Sequence, residues 1–378
     1  MSTHLYLDIH VLQTLPPSNV NRDESGRPKT AFYGGVERSR VSSQAWKRAT
    51  RREFTSAVDE QDRGLRTKRL PQVLAERIAR RDGTLADQAD ARAASVLTAL
   101  GLKVAKPRKA KGDEQVPHEV GALGFFSNRQ LDRLAELAAS TDRPSKKDAQ
   151  QAADTGHGVD VALFGRMVAE ATDLRVDASC QVAHALSTHA VRTQFDYFTA
   201  VDERAEEAEE SGAGMIGTVE FNSSTIYRYA TINLDQLLLN LGGADDDTTW
   251  DAARVAVEAF TEAFATSMPT GKQNTFANRT APDAVVVMVR RGRPVNLVGA
   301  FEDAVTSEQG GFLRASATRL VEHARAVDAS FGPAPEQTFV TRAGEPAAAV
   351  DSLAAPMPFS ELVTGVGAVV SAARGANS

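Results

Sequence analysis

Apolar and polar positions alternate from the start of the chain. Leu5, Leu7, Ile9 and Val11 take turns with Tyr6, Asp8 and His10, the two-residue period of a strand. A loop rich in Pro, Asn and Gly follows (PPSNVNRDESGRPKT), then a short alternating run from Val36 to Val41. Ser42 and Ser43 are N-caps for a helix to about Ala57, with Trp46, Ala49, Thr50 and Phe54 on one face. Residues 65–154 read as mostly helical, with breaks at Asp82-Gly83, in KVAKPRKAKGDEQVP and around Arg143-Pro144. Strand patterns return at GVDVALF and near CQVAHAL. Two extended segments, RTQFDYFTAV and MIGTVEFNSSTIYRYATINL, flank the acidic DERAEEAEESGAG and form a hairpin-like arm. From about Thr249 an amphipathic helix carries Trp250, Ala253, Val257, Phe260 and Phe264. A polar loop, PTGKQNTFANRTAP, leads to the apolar strand AVVVMV; two helices, a strand at QTFVT and a closing helix from about Phe359 complete the chain. With no internal repeat and no clean linker, the simplest architecture is one α+β core with a helical insertion and a projecting arm.

Composition adds a compartment and a charge problem. The chain has 378 residues, 42% of them hydrophobic, enough for a sizeable core. Its one cysteine, Cys180, excludes an intrachain disulfide and a cysteine-only zinc site and fits a reducing compartment. The N-terminus lacks the pattern of a signal peptide, and no run approaches the roughly 18 apolar residues of a membrane span. A soluble cytoplasmic protein is expected, with no membrane partner. The formal net charge is −6, yet nine Lys or Arg stand against three acids between Val20 and Arg52. Charge is segregated, so the overall acidity does not argue against an anionic partner.

That basic segment brings together the parts that hold phosphates. Arg38 and Arg40 sit two apart, facing one way on a strand. Hydroxyls at Ser39, Ser42 and Ser43 follow, then a helix start with free N–H groups, then Lys47–Arg51 and Arg48–Arg52 at i,i+4. The plain alternative is a solvated basic helix face. No aromatic pattern matches that of RNA-stacking sheets, so any RNA binding rests on the backbone and not on base identity. TGKQNT is not a phosphate loop, because Thr266 and Gln273 replace the required Gly and Ser/Thr; Lys272, Asn274 and Arg279 remain candidate backbone contacts. His184 and His189, five apart with no acid or thiol at ligand spacing, do not make a metal site, and no G-x-S-x-G elbow is present. Phe198 and Val201 at the base of the arm, and Met167 in LFGRMVAE, have two readings: packing within their own domain, or an apolar wedge between bases. The Lys-rich stretch Lys103–Lys111, with Arg143, Lys146 and Lys147, is either a DNA contact or solvated surface.

Several passages together resemble one family. They are IHVLQTLPPSNVNRDESGRPKTAFYGGVERSRVSSQAWKRATR, GVDVALFGRM, QVAHALSTHAV, DYFTAVDE, GTVEFNSSTIYRYATINLDQLLLNLGG and the GFL segment near Phe312. In order, from near residue 5 to about residue 330, they are similar to the RNA-binding backbone subunit of the type I-E CRISPR surveillance complex, Cascade. The resemblance implies a modified RRM-like (ferredoxin-like) palm, a helical fingers insertion and a β-hairpin thumb. By position, the palm takes residues 1–57, 158–190 and 222–378, the fingers 58–157 and the thumb 191–221. It implies copies side by side along one CRISPR RNA, displaying the spacer for pairing with target DNA alongside other Cascade subunits. By position, Asn21, Arg22, Lys29, Arg38, Arg40, Ser42, Gln44, Lys47, Arg48 and Arg51 would line the guide groove. Met167, Phe198 and Val201 would sit where the thumb meets nucleic acid, and Lys146, Lys147 and Lys272 are further candidate contacts. A subunit reused on many guides must grip phosphate and ribose and leave base edges free. The acidic residues from Asp202 to Glu210 would reach toward a basic surface of the next copy or avoid the RNA.

No cofactor motif, metal set or catalytic residue is expected, which leaves a non-catalytic scaffold as the leading reading. The alternative is a metal-dependent endoribonuclease acting through Asp23, since type III relatives place an aspartate in the loop after the first strand. The plain reading of Asp23 is an acid that pairs with Arg22 or caps the loop.

Overall fold

The structure is a computed structural model and describes residues 4–106, 117–167, 171–201, 213–307 and 310–377. The acidic arm tip (202–212) and most of the Lys-rich loop (107–116) lie outside the described residues. The strands are β1 Leu5–Ser18, β2 Thr30–Tyr33, β3 Val36–Val41, β4 Gly64–Thr67, β5 Val104–Ala105, β6 Glu119–Val120 and β7 Gly124–Ser127. They continue as β8 Cys180–Val182, β9 Ala185–Ser187, β10 Gln194–Val201, β11 Ala213–Asn233, β12 Ala284–Arg291 and β13 Gln337–Arg342. The fold is mixed α+β. Its chain divides into two compact units: residues 1–52, 182–231 and 261–366, and residues 53–181, 232–260 and 367–378.

The first unit is built on a sheet in the order β13-β12-β1-β11-β9-β3-β2. β1 lies between β12 and β11, so both of its edges are paired, and both of its faces are buried. Leu5, Leu7, Ile9 and Val11 are buried as the alternation requires, but so are Asp8, His10 and Gln13. Their burial is tolerated because each finds a partner. The Tyr229 hydroxyl donates to Asp8 Oδ1 at 2.8 Å, and His10 Nδ1 lies 2.8 Å from the Tyr227 hydroxyl. Gln13 Nε2 donates to the Thr280 carbonyl at 2.8 Å. The apolar run of β12 pairs antiparallel with β1 from Leu5↔Arg291 to Leu12↔Ala284, and its buried Val286 and Met288 join a core with Leu297, Phe301, Leu320 and Val350. β11 is 21 residues long. Its inner part pairs with β9, and its outer part pairs with β10 to form the arm.

The second unit is mainly helical. Helices Leu70–Arg81, Ala89–Ala99, Asn128–Ser140 and Lys146–Ala153 bury Leu74, Ile78, Val96, Leu97, Leu131 and Leu134 in one core. Ser127 opens the third of these with a reciprocal capping box to Gln130. GVDVALF, expected as a strand, is instead the helix Val159–Phe164 with Gly158 at its N-cap. A short run of β-branched and apolar residues has no period of its own that separates strand from buried helix. No helix among the described residues is long and apolar enough to cross a membrane.

Candidate nucleic-acid interface

The loop after β1 is held by its own side chains. Asn19 is fully buried, and its Nδ2 donates to the Gly26 and Glu220 carbonyls, each at 3.0 Å. Asp23 Oδ1 accepts from the Ser25 N–H (2.9 Å), the Ser25 hydroxyl (2.8 Å) and the Arg27 N–H (2.9 Å). The Ser25 hydroxyl, with the Arg27 N–H behind it, draws the Asp23 carboxyl below its ordinary value. Asp23 therefore caps a tight turn. Arg27 pairs with Glu220 at 2.9 Å, and Arg22 is exposed at the neck, its backbone bridged to Pro28.

Two main-chain bonds and one to a side-chain amide gather four of the expected residues. The Lys29 N–H donates to the Asn21 carbonyl (2.8 Å), the Arg40 N–H to the Lys29 carbonyl (2.9 Å) and the Ser42 N–H to Asn21 Oδ1 (2.9 Å). Arg40 Nε donates to the Thr30 carbonyl at 3.1 Å, and its NH1 lies 3.1 Å from His184 Nδ1. Arginine only donates, so His184 Nδ1 is the acceptor and its proton sits on Nε2. Partial burial, Arg40 and Lys29 all keep this ring neutral by lowering its pKa. His184 was considered in sequence only as a metal ligand. The pairing Arg40↔Leu186, across 146 residues of chain, is what brings it here.

Arg38 corrects an expectation. It is 0% exposed, so it does not join Arg40 on the solvent face. Its Nε donates to the Tyr33 carbonyl, NH1 to Ser187, and NH2 to Phe301 and Glu302, at 2.9–3.2 Å. The cause is the β2–β3 turn. Gly34 adopts φ +58°, and a Cβ there would stand 1.6 Å from the Glu302 carbonyl oxygen. Only glycine lets the turn press so close to that main chain, and the carbonyls gathered there consume the guanidinium.

Helix α1, Ser43–Ala57, starts at the buried Ser42, whose hydroxyl accepts the Ala45 N–H at 3.4 Å. Trp46, Ala49, Thr50 and Phe54 are all buried, as their spacing predicts. Gln44, Arg48 and Arg52 are exposed in a single i,i+4 stripe, with Lys47 and Arg51 partly exposed beside it. The apolar side is fixed by Arg228 of β11. Its guanidinium lies 3.7 Å from the Trp46 ring centroid and 4.6 Å from that of Phe264, and donates to Gln13 Oε1 at 2.7 Å and to the Phe264 carbonyl. Burial lowers its pKa to about 9, which still leaves it charged at neutral pH. A cation there meets aromatic faces and the carbonyl end of helix Asp247–Thr266.

The 270s loop comes beside the β1 loop because Gly271 permits it: a Cβ would stand 2.2 Å from the Val20 carbonyl oxygen. Lys272 and Ala277 flank a single helical turn in the left-handed region, at φ 49° and 46°. Arg52, Lys272 and Asn274 line one open recess. A second, smaller recess is lined by Asn21, Lys29, Ser39, Arg40 and Asn222. Arg52 belongs to the basic segment, paired with Arg48 at i,i+4, but lies outside the groove residues that the resemblance implies; Asn222 is signalled by nothing local in the sequence.

On the arm, Phe198 opposes Gly217, and its ring lies so close that a Cβ on the glycine would come within 2.4 Å of it. The ring thus covers a bare stretch of backbone while remaining 38% exposed. Phe195 and Tyr197, unremarked in the sequence, are more exposed, at 67% and 64%. The Val201 side chain lies outside the described residues. In the second unit, Met167 is 75% exposed, Lys146 pairs with Asp173 at 2.9 Å, and Lys147 is exposed.

Two solved chains share this fold over nearly their whole length. One, from a CRISPR RNA-guided surveillance complex described as pre-nicking, is 34% identical, covers 97% of this chain and 100% of its own, and aligns with a TM-score of 0.81. A second, from a CRISPR RNA-guided surveillance complex, is 30% identical over 96% and 99% of the two chains, with a TM-score of 0.71. The profile of the CT1975-like protein family matches residues 7–364, and the chain belongs to that family. A comparison with curated protein sequences finds no match.

Proposed function

We propose that this protein is the guide-RNA-binding backbone subunit of a CRISPR surveillance complex of type I-E. Copies of it assemble along one CRISPR RNA with other subunits of the complex and display the spacer for pairing with target DNA. One observation carries the reading. In a chain similar throughout to a surveillance-complex subunit, cations from separate segments (Lys29, Arg40, Arg52, Lys272) line two recesses of a single sheet-bearing unit, and Arg48 is exposed on the same helix as Arg52. The modified RRM-like palm would then be residues 1–57, 158–190 and 222–378, which hold most of the sheet, the fingers residues 58–157, and the thumb residues 191–221 with the β10–β11 hairpin. Copies contact head to tail, a heterologous interface that propagates along the RNA. The groups on offer are guanidinium, ammonium, amide and hydroxyl donors, which grip phosphate and ribose without reading bases.

The role is non-catalytic. The Asp23 carboxylate is engaged in its own turn, which supports a structural task over metal-dependent cleavage. Co-purification with neighbouring operon products, followed by sequencing of the bound RNA, tests the assignment. CRISPR-derived guides of many spacer sequences are expected, and RNA of another origin would overturn it. Metal-dependent cutting of a complementary RNA by the assembled complex, lost in Asp23→Ala, would overturn the non-catalytic role.

A further inference from the structure

The smaller recess contains a donor that no described residue uses. Asn222 stands on β11, one residue past the last arm pairing (Gln194↔Phe221), and is only 5% exposed. Its Oδ1 accepts the Ser39 hydroxyl at 3.2 Å, while its Nδ2 has no partner among the described residues. A buried amide N–H left unpaired is costly, so such a group ordinarily meets an oxygen. The recess is about 10 Å³, room for one water-sized atom and no more. Lys29 and Arg40 also line it. Arg40 is fixed by the Thr30 carbonyl and His184, which occupy two of its five N–H groups and leave others to donate. Two cations beside a buried amide donor favour an anionic oxygen over water. A planar base is too large to enter, whereas one oxygen of a tetrahedral group fits while the rest stays outside.

We propose that Asn222, with Lys29 and Arg40, seats one non-bridging phosphate oxygen of the bound single-stranded RNA. The seat fixes the register of the RNA backbone on the subunit, once per copy, and is blind to base identity. It rests on the reading that RNA lies on this face.

The test walks single methylphosphonate substitutions along the shortest uridine-rich single-stranded RNA that still binds the full chain, so that no second register spares the seat, and measures its binding. In the wild type, one position per bound copy should weaken binding about tenfold, the effect of losing a hydrogen bond to a charged acceptor. Asn222→Leu should bind unmodified RNA about tenfold more weakly and lose the penalty at that position, and Lys29→Gln, a surface change with little risk to folding, should reduce the same penalty. Asn222→Asp, which sets a carboxylate against the phosphate, should bind more weakly still. If the wild type binds RNA but Lys29→Gln and Asn222→Leu keep its full pattern, the seat is wrong. The same follows if 2′-deoxy substitution, and not methylphosphonate, maps to the Asn222 variants. A wild-type chain that binds no RNA at any salt concentration overturns instead the reading of function beneath it.

Discussion

Replacing Arg38 by Met separates a structural cation from a binding one. The substitution keeps the length of the side chain and removes four donated hydrogen bonds, to Tyr33, Ser187, Phe301 and Glu302. The bonds to Ser187 and Phe301 are buried, and an orphaned buried carbonyl costs about 1–3 kcal/mol, so the pair gives about 2–6 kcal/mol. Relief from holding a guanidinium out of water offsets part of this, since burial already draws the Arg38 pKa down. The expected net loss is about 3 kcal/mol. With a urea slope of about 3 kcal/mol/M, the unfolding midpoint falls by about 1 M. The second measurement is the slope of log affinity for RNA against log salt in variants still folded at low temperature. Arg38→Met should leave it unchanged, because a buried, fully hydrogen-bonded cation neutralises no phosphate. Arg48→Gln, on the exposed stripe of α1, should do the reverse: an unmoved midpoint and a slope shallower by about 0.7. An Arg38→Met variant with the wild-type midpoint and a salt slope reduced by about 0.7 would refute the reasoning.

Three further outcomes follow from the packing. His10 is buried and neutral, with its pKa lowered to about 3 from 6.5 by burial, with Arg290 adding to the shift. Above pH 6.5 both states are neutral and nothing is lost; below it only the unfolded chain takes the proton, so stability falls by about 1.4 kcal/mol per pH unit down to about pH 3. His10→Phe should flatten urea-midpoint stability against pH by that amount, and an unchanged profile would contradict the burial argument. Arg228→Met, in a Trp250→Phe background, should shift Trp46 emission and destabilise by about 2–4 kcal/mol, because the cation's carbonyl partners lose their donor; unaltered emission would sink the clamp. Gly217→Val should expel the Phe198 ring and speed amide exchange along Gln194–Thr199, whereas unchanged protection would mean the ring does not cover that backbone.

Much of the candidate interface was legible because its signals are local. The serine-capped start of α1, the buried face through Trp46 and Phe54, and the outward cations all follow from helical spacing over fifteen residues. The two strands of the arm follow from turn and alternation chemistry. Arg38 was misplaced for a related reason: the two-residue period gives the face of a strand but not what covers that face. Phe301 and Glu302, more than 260 positions away, turned a solvent side into an interior one.

The sequence by itself determined where charge gathers, which stretches bear a core face, and the ordered run of motifs that marks the family. These rest on neighbours in the chain, where period and spacing carry the physics. Only the tertiary structure decided which cations are free to meet an anion. It paired β3 with β9, so His184 reached Arg40, and it set β11 against the β1 loop, so Asn222 came to line the recess beside Lys29. It also closed carbonyls around Arg38. Whether a charged side chain binds a partner or holds the fold depends on the groups that surround it, and those arrive from segments that the chain brings together only on folding.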